Sequence, residues 1–241
     1  MEDPLYKHVK SRLVAALRQG DWKPGEALPS EAKLAEHFEV GISTIRAAVG
    51  ELSSAGLVVR RQGKGTYVAV HDERSVYRFF NVVRDGGEKE LPASELVSLR
   101  KATADDETAD LLRLPRSSRR SAVWKIRNVL RIGDTPVVVS DIVVPSQIFP
   151  GITTKMLREE GRTLYAVFQK RFGVTIVRIT EKLKAARADA TAVEHLGMRS
   201  GEPVLELRRV AYSFDRRPVE IRRSQIDTRS NHYRFEQGDA V

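Results

Sequence analysis

Between residues 5 and 20, the apolar side chains Val9, Leu13, Ala16 and Leu17 recur at three- and four-residue intervals, and Gly20 closes the run. That spacing places them on one face of a helix. A second helix opens at Pro29-Ser30, with Ser30 as N-cap and Leu34, Ala35 and Phe38 as its inner stripe. A third follows the short segment Glu39–Ile42. Here Ile45, Ala48, Val49 and Leu52 fall at i, i+3, i+4 and i+7, and Gly56 stands at the C′ position. The period then drops from 3.6 to 2. Leu57–Arg61 and Thr66–Val70 flank Gln62-Gly63-Lys64-Gly65, which predicts a hairpin. Three helices and a hairpin, with a tight turn between the second and third helices, predict a winged helix-turn-helix over residues 1–70. The polar residues that follow predict a linker over 71–78.

The pattern from 79 to 241 is mixed. Trp124, Ile126, Leu130 and Ile132 alternate with Lys125, Arg127 and Arg131, as in a strand. A turn at Gly133-Asp134-Thr135-Pro136 leads to Val137–Val144, apolar enough for a buried strand. Thr163–Phe172 reads as a helix with Leu164, Val167 and Phe168 inward. Val174–Arg187 reads as a strand, and Asp189–Leu196 as a short helix closed by Gly197. Val204–Phe214 and Val219–Asp227 complete the set. The expected fold class is α+β, with a second domain built on a largely antiparallel sheet. Val204–Phe214 is the strand expected to contribute to a dimer contact.

Charge adds less than it first suggests. The 241 residues carry 41 Lys+Arg and 32 Asp+Glu, a net +9. Residues 1–70 hold only 10 basic against 8 acidic side chains, so any nucleic-acid reading must come from motif geometry rather than net charge. The absence of Cys excludes disulfides, thiolate metal sites and cysteine nucleophiles. His8, His37, His71, His195 and His232 are scattered, without metal-ligand or triad spacing. No catalytic residue, metal or cofactor is therefore expected. No apolar run approaches the ~18 residues of a membrane span. Met1-Glu2-Asp3-Pro4 lacks the basic and apolar stretches of a secretory leader. The expected location is the cytoplasm, with no membrane partner.

Several spaced blocks carry a resemblance. Pro4-Leu5-Tyr6, Lys23-Pro24-Gly25, Leu28-Pro29-Ser30-Glu31, Leu34-Ala35, Thr44-Ile45-Arg46, Gly56-Leu57-Val58 and Gly63-Lys64-Gly65-Thr66 resemble the GntR family of bacterial transcription regulators. In the second half the matching pieces include Arg127, Gly133-Asp134-Thr135-Pro136, Phe149-Pro150, Thr163-Leu164-Tyr165, Phe172-Gly173, Pro203-Val204-Leu205, Arg209 and Arg217-Pro218-Val219-Glu220. These resemble the ligand-sensing UTRA domain of the HutC subfamily, whose fold is similar to chorismate lyase. The resemblance implies a homodimeric, ligand-responsive repressor of double-stranded operator DNA. Two readings stay open beside it: a lyase-like enzyme fused to a DNA-binding arm, and a regulator with a vestigial pocket. Many relatives carry Arg where this chain has Ala32 and Ile42.

For DNA, the third helix would enter the major groove with Ser43 and Thr44 at base edges or phosphates and Arg46 on a phosphate. Ser30, with its helix N-terminus, and Lys33 would meet another phosphate. At the wing, Gly63, Gly65 and Thr66 permit close backbone approach, while Arg61 and Lys64 supply charge. For a small anionic effector, a carboxylate or phosphorylated metabolite, Lys125 and Arg127 share one strand face and so point into one space. Thr163 and Tyr165 at a helix start complete an anion site. The resemblance adds Asn81 and Ser140 as pocket positions and Glu220 as a contact to the ligand's neutral end. Arg222 and Ser224 share Glu220's strand face. Gly50, inside the third helix, costs roughly 1 kcal/mol relative to Ala and has no account in the sequence.

Overall fold

The computed structural model describes residues 4–70, 79–115, 121–159 and 163–235. The chain divides into two compact units, Met1–Val70 and His71–Val241. The segment expected to be the linker, 71–78, lies outside the described residues.

In the first unit, α1 (Leu5–Gln19), α2 (Glu31–Phe38) and α3 (Ile42–Ser54) precede a hairpin of β1 (Val58–Arg61) and β2 (Gly65–Val68). The stripes meet as their spacing requires. Val9 and Leu13 of α1, Leu34 of α2 and Ile45, Ala48, Val49 and Leu52 of α3 are all buried, and α3 packs on α1, α2 and β1. Lys10 of α1 pairs with Glu51 of α3. The Ser30 hydroxyl caps α2 by accepting from the Lys33 N–H at 3.3 Å. The wing gains a third lane that the sequence pattern did not predict. Gly25 N–H donates to Val68 O at 3.0 Å, Val68 N–H to Glu26 O at 2.8 Å and Leu28 N–H to Thr66 O at 2.8 Å. This segment has no apolar alternation of its own, so only its partner strand makes it extended.

Gly50 has helical backbone angles, and a Cβ built there meets nothing within 4 Å. No internal contact requires a glycine. Gly50→Ala is therefore expected to raise stability by about 1 kcal/mol, read as a higher urea midpoint. A lower midpoint would show a requirement for glycine within the fold.

The second unit contains a six-stranded antiparallel sheet in the order β4-β5-β6-β9-β8-β7. Its strands are β4 (Ala93–Thr103), β5 (Ala122–Ile132), β6 (Thr135–Pro145), β7 (Arg178–Arg187), β8 (Pro203–Tyr212) and β9 (Pro218–Asp227). Two three-stranded meanders thus join through β6 and β9. A separate pair is formed by β3 (Val82–Arg84) and β10 (Asn231–Tyr233). Among the described residues the unit also has the α-helices α4 (Asp106–Leu111), α5 (Thr154–Glu159), α6 (Leu164–Phe172) and α7 (Ala190–Leu196). The edge strand β4 was missed because most of its residues are exposed and do not alternate. The strand expected over Val204–Phe214 is β8, Pro203–Tyr212. β8 is hydrogen-bonded on both sides, to β7 and β9, so it cannot extend the sheet into a second copy. The sheet edges are β4 and β7.

Two apolar clusters lie on one face of the sheet. In one, Ile126, Ile142, Phe149 and Phe168 pack with Tyr165 and Phe79. In the other, Phe80, Val82, Val138, Leu207 and Ile226 pack with Leu130 and Tyr233. On the opposite face, α7 covers Val129, Val139 and Val204.

Candidate functional site

Each unit holds one candidate site among its described residues. In the first unit, Gly41 is the N-cap of α3 and gives no side-chain cap, so the helix start is open backbone. Ser43 is exposed and Thr44 is partly exposed in that first turn. Arg46, one turn on, is 68% exposed and donates from Nε to Glu31 Oε2 at 2.7 Å. Arg60 of β1 reaches the same acid, Nη2 lying 3.6 Å from Glu31 Oε1, and donates to the Arg46 carbonyl at 3.3 Å. An exposed pair of this kind contributes about 0–1 kcal/mol, so Arg46 can exchange Glu31 for another anion at little cost. Sequence reasoning missed Arg60 and Glu31 because their link to Arg46 spans three elements.

At the wing, Gly63 and Gly65 have φ of +69° and +103°, which a side chain would strain. The Arg61 guanidinium lies over the Tyr67 ring at 4.4 Å, and the Tyr67 hydroxyl donates to Lys64 O at 3.1 Å. Arg61 and Lys64 are thus presented from a braced turn. Lys33 is exposed on α2, and Thr66 is partly exposed.

In the second unit, a cavity opens between the two apolar clusters. Its volume is about 80 Å³, several times the ~10–15 Å³ that one water needs. Its polar walls include Asn81, Ser94, Asn128, Ser140, Thr163, Tyr165, Arg209, Arg222, Ser224 and Tyr233. Six of the expected ligand-binding residues therefore line one space: Asn81, Ser140, Thr163, Tyr165, Arg222 and Ser224.

Three others do not. Lys125 and Arg127 share a strand face, as expected, but it is the face opposite the cavity. The cavity wall of β5 is Asn128 and Leu130. Arg127 instead makes two hydrogen bonds to Asp141 on β6, at 2.7 and 3.1 Å, and that carboxylate raises its pKa. Period-2 alternation fixes which residues go together, and the apolar Trp124 and Ile126 had already claimed the packed face. Glu220 is fully buried behind the wall. It accepts from the Tyr165 hydroxyl at 3.1 Å and from Arg222 at 3.0 and 3.1 Å.

The cations of the cavity are Arg222 and a residue the sequence reading did not place there, Arg209. Arg209 donates to Glu181 at 2.7 Å and to the Phe79 carbonyl. Burial opposes its charge, but Tyr165, Glu181 and Glu220 more than reverse that and raise its pKa. Glu181 also accepts from the Tyr233 hydroxyl, which in turn accepts from the Asn81 amide at 3.0 Å. Burial, followed by the nearby carboxylates, pushes Tyr165 and Tyr233 each up to about 12, so both phenols stay neutral hydrogen-bonding groups. The Ser140 and Ser224 hydroxyls are 2.8 Å apart.

Asn128 is the other missed residue. It is 6% exposed, and its amide nitrogen donates to the Ser94 hydroxyl at 3.1 Å. Its Oδ1 has no partner among the described residues. A buried acceptor left in this state costs about 1–3 kcal/mol, and it lies on the cavity wall. The signal was present in the sequence. Asn128 and Arg209 each interrupt the apolar face of an alternating strand, where a polar group must have a partner.

Among the described residues, no group of three or more His, Asp or Glu could hold a metal ion. No helix among them is long and apolar enough to cross a membrane.

Comparison with known proteins adds the following. Residues 5–68 match the model described as bacterial regulatory proteins, gntR family, and residues 88–232 match the UTRA domain. The chain is 31% identical over 223 residues to the HTH-type transcriptional regulator Rv0792c of Mycobacterium tuberculosis, covering 90% of this chain and 80% of that protein. It is 24% identical over 211 residues to the HTH-type transcriptional repressor NagR of Bacillus subtilis, covering 87% and 84%. Among solved structures, it is similar to a ligand-binding domain from Bordetella bronchiseptica described as GntR-family. The identity is 33%, the TM-score 0.61, and the match covers 67% of this chain and 99% of that one.

Proposed function

Since the chain belongs to the gntR family of bacterial regulatory proteins and carries a UTRA domain, we propose that it is a homodimeric repressor whose operator grip is released by a small anionic metabolite. Two reading units related by a two-fold axis would bind a pseudo-palindromic operator, because one such unit contacts few bases. Ser43, Thr44 and Arg46 of α3, Ser30 and Lys33 of α2, and the wing residues Arg61, Gly63, Lys64, Gly65 and Thr66 would make the contacts. Arg46 would leave Glu31 for a phosphate, where the paired charge is stronger.

The observation that carries the ligand half is the unpartnered Asn128 Oδ1 on the cavity wall. It calls for a hydroxyl or amino donor on the ligand. The Ser140–Ser224 pair beside it can exchange hydrogen bonds with the same polar end. The N-terminal turn of α6 meets the same cavity through Thr163, Leu164 and Tyr165, with Arg222 also on its wall. Helix N–H groups and a guanidinium together suit a carboxylate or phosphate. The anion site thus keeps Thr163 and Tyr165 from the sequence reading and takes Arg222 in place of Lys125 and Arg127. Glu220 holds Arg222 and Tyr165 in position. A differential ligand affinity of ~1–3 kcal/mol between two dimer arrangements would weaken operator binding 5- to 150-fold.

The test uses the full chain and a duplex from its own upstream region. Sedimentation is expected to show a dimer that retards this duplex. A thermal-shift screen of hydroxy-carboxylates and sugar phosphates is expected to give a hit that also releases it. At 100 Kd, such a ligand stabilises by about 2.7 kcal/mol. A monomer that still retards the duplex, or a screen in which no acid moves the melting temperature, overturns this reading. The second outcome leaves a vestigial pocket.

A further inference from the structure

Ile42 is the first residue of α3, the helix whose N-terminal turn faces base edges in a helix-turn-helix. Ile42 is 43% exposed and takes no part in the buried core formed by Ile45, Ala48, Val49 and Leu52. Exposed neighbours surround it: Gly41 before it, Ser43 after it and Arg46 one turn on. A lone exposed apolar residue is ordinary surface on most of a protein, as for Leu5 and Val59 here. Ile42 differs in where it stands, at the end of the helix that leads into the groove.

We propose that Ile42 reads sequence by packing against the C5-methyl group of a thymine in each operator half-site. Isoleucine has neither donor nor acceptor, so it cannot read a base edge by hydrogen bonding. The thymine methyl is the apolar group that a base pair offers in the major groove. Facing guanine or cytosine instead, Ile42 would cover their polar edge atoms without replacing the water those atoms lose. Selectivity would come from both effects, with thymine favoured and the polar bases penalised. Ser43, beside it, remains able to hydrogen-bond the adjoining base or phosphate. This inference rests on the DNA-binding reading above, and its test separates the two.

The full 241-residue chain is first used to select binding duplexes from a random-sequence pool. Each thymine of the selected duplex is then replaced in turn by deoxyuridine, which removes the methyl group and keeps every hydrogen-bonding atom. One position per half-site is expected to weaken wild-type binding by about three- to tenfold. Ile42→Ala is expected to bind the thymine and uracil duplexes equally at that position, with an unchanged urea midpoint. A flat uracil scan on a tightly bound duplex overturns the inference alone, as does a loss that persists in Ile42→Ala. A pool that yields no binding duplex overturns the DNA reading and this inference with it.

Discussion

Replacing Arg209 with alanine is expected to destabilise the C-terminal unit by about 3–5 kcal/mol. Arg209 is 7% exposed, and it ties Glu181 of β7 to the Phe79 carbonyl. Removing it leaves a carboxylate enclosed without its cation and takes one donor from the Phe79 carbonyl. The loss should appear in urea unfolding of the full chain, in the transition that reports the second unit. Much of it should return in Arg209→Met combined with Glu181→Leu. Removing both charges leaves no unpaired ion, and an apolar pair of similar size is often neutral or better. A loss below 1 kcal/mol for Arg209→Ala would mean that water reaches Glu181 freely, and that the polar wall is not an enclosed network.

Arg46→Ala should act on binding and hardly on folding. The Arg46–Glu31 pair is exposed, so its loss is worth about 0–1 kcal/mol of stability. A lost charge-assisted phosphate contact is worth about 1.5–3 kcal/mol, or a ten- to more than hundredfold weaker complex. The weakening should be similar for every duplex, because phosphates carry no base identity. The slope of log affinity against log salt should fall by about 1 per protomer. Fluorescence anisotropy at several salt concentrations reads both quantities. Loss confined to some sequences would make Arg46 a base-reading residue, and an unchanged slope would remove it from the phosphate contacts.

Much of the first unit was legible because its information is local. Apolar spacing gave three helices, Ser30 gave a cap, and Gly63 and Gly65 gave the turn of the wing. Each follows from residues a few positions apart. The same logic found α6 and α7, with Thr163 and Asp189 as their caps. What failed was local in origin but not in outcome. β4 lies on the sheet edge with little burial to enforce alternation, and the Gly25–Leu28 lane exists only because β2 is beside it.

The cavity belongs to the other category. The sequence alone determined that Lys125 and Arg127 share a face and that Glu220, Arg222 and Ser224 share another. The apolar Trp124 and Ile126 mark the packed face of β5, but tertiary structure decided that this face leaves a space at Asn128 and that Arg127, on the other face, meets Asp141. It also joined Asn81 to Tyr233 across 152 residues and brought Arg209 between Glu181 and Phe79. The physical reason is that alternation sorts a strand's residues by face but does not say where along the packed face a gap is left. Only packing between distant segments excludes water from one side, and that exclusion turns ordinary polar residues into a binding wall.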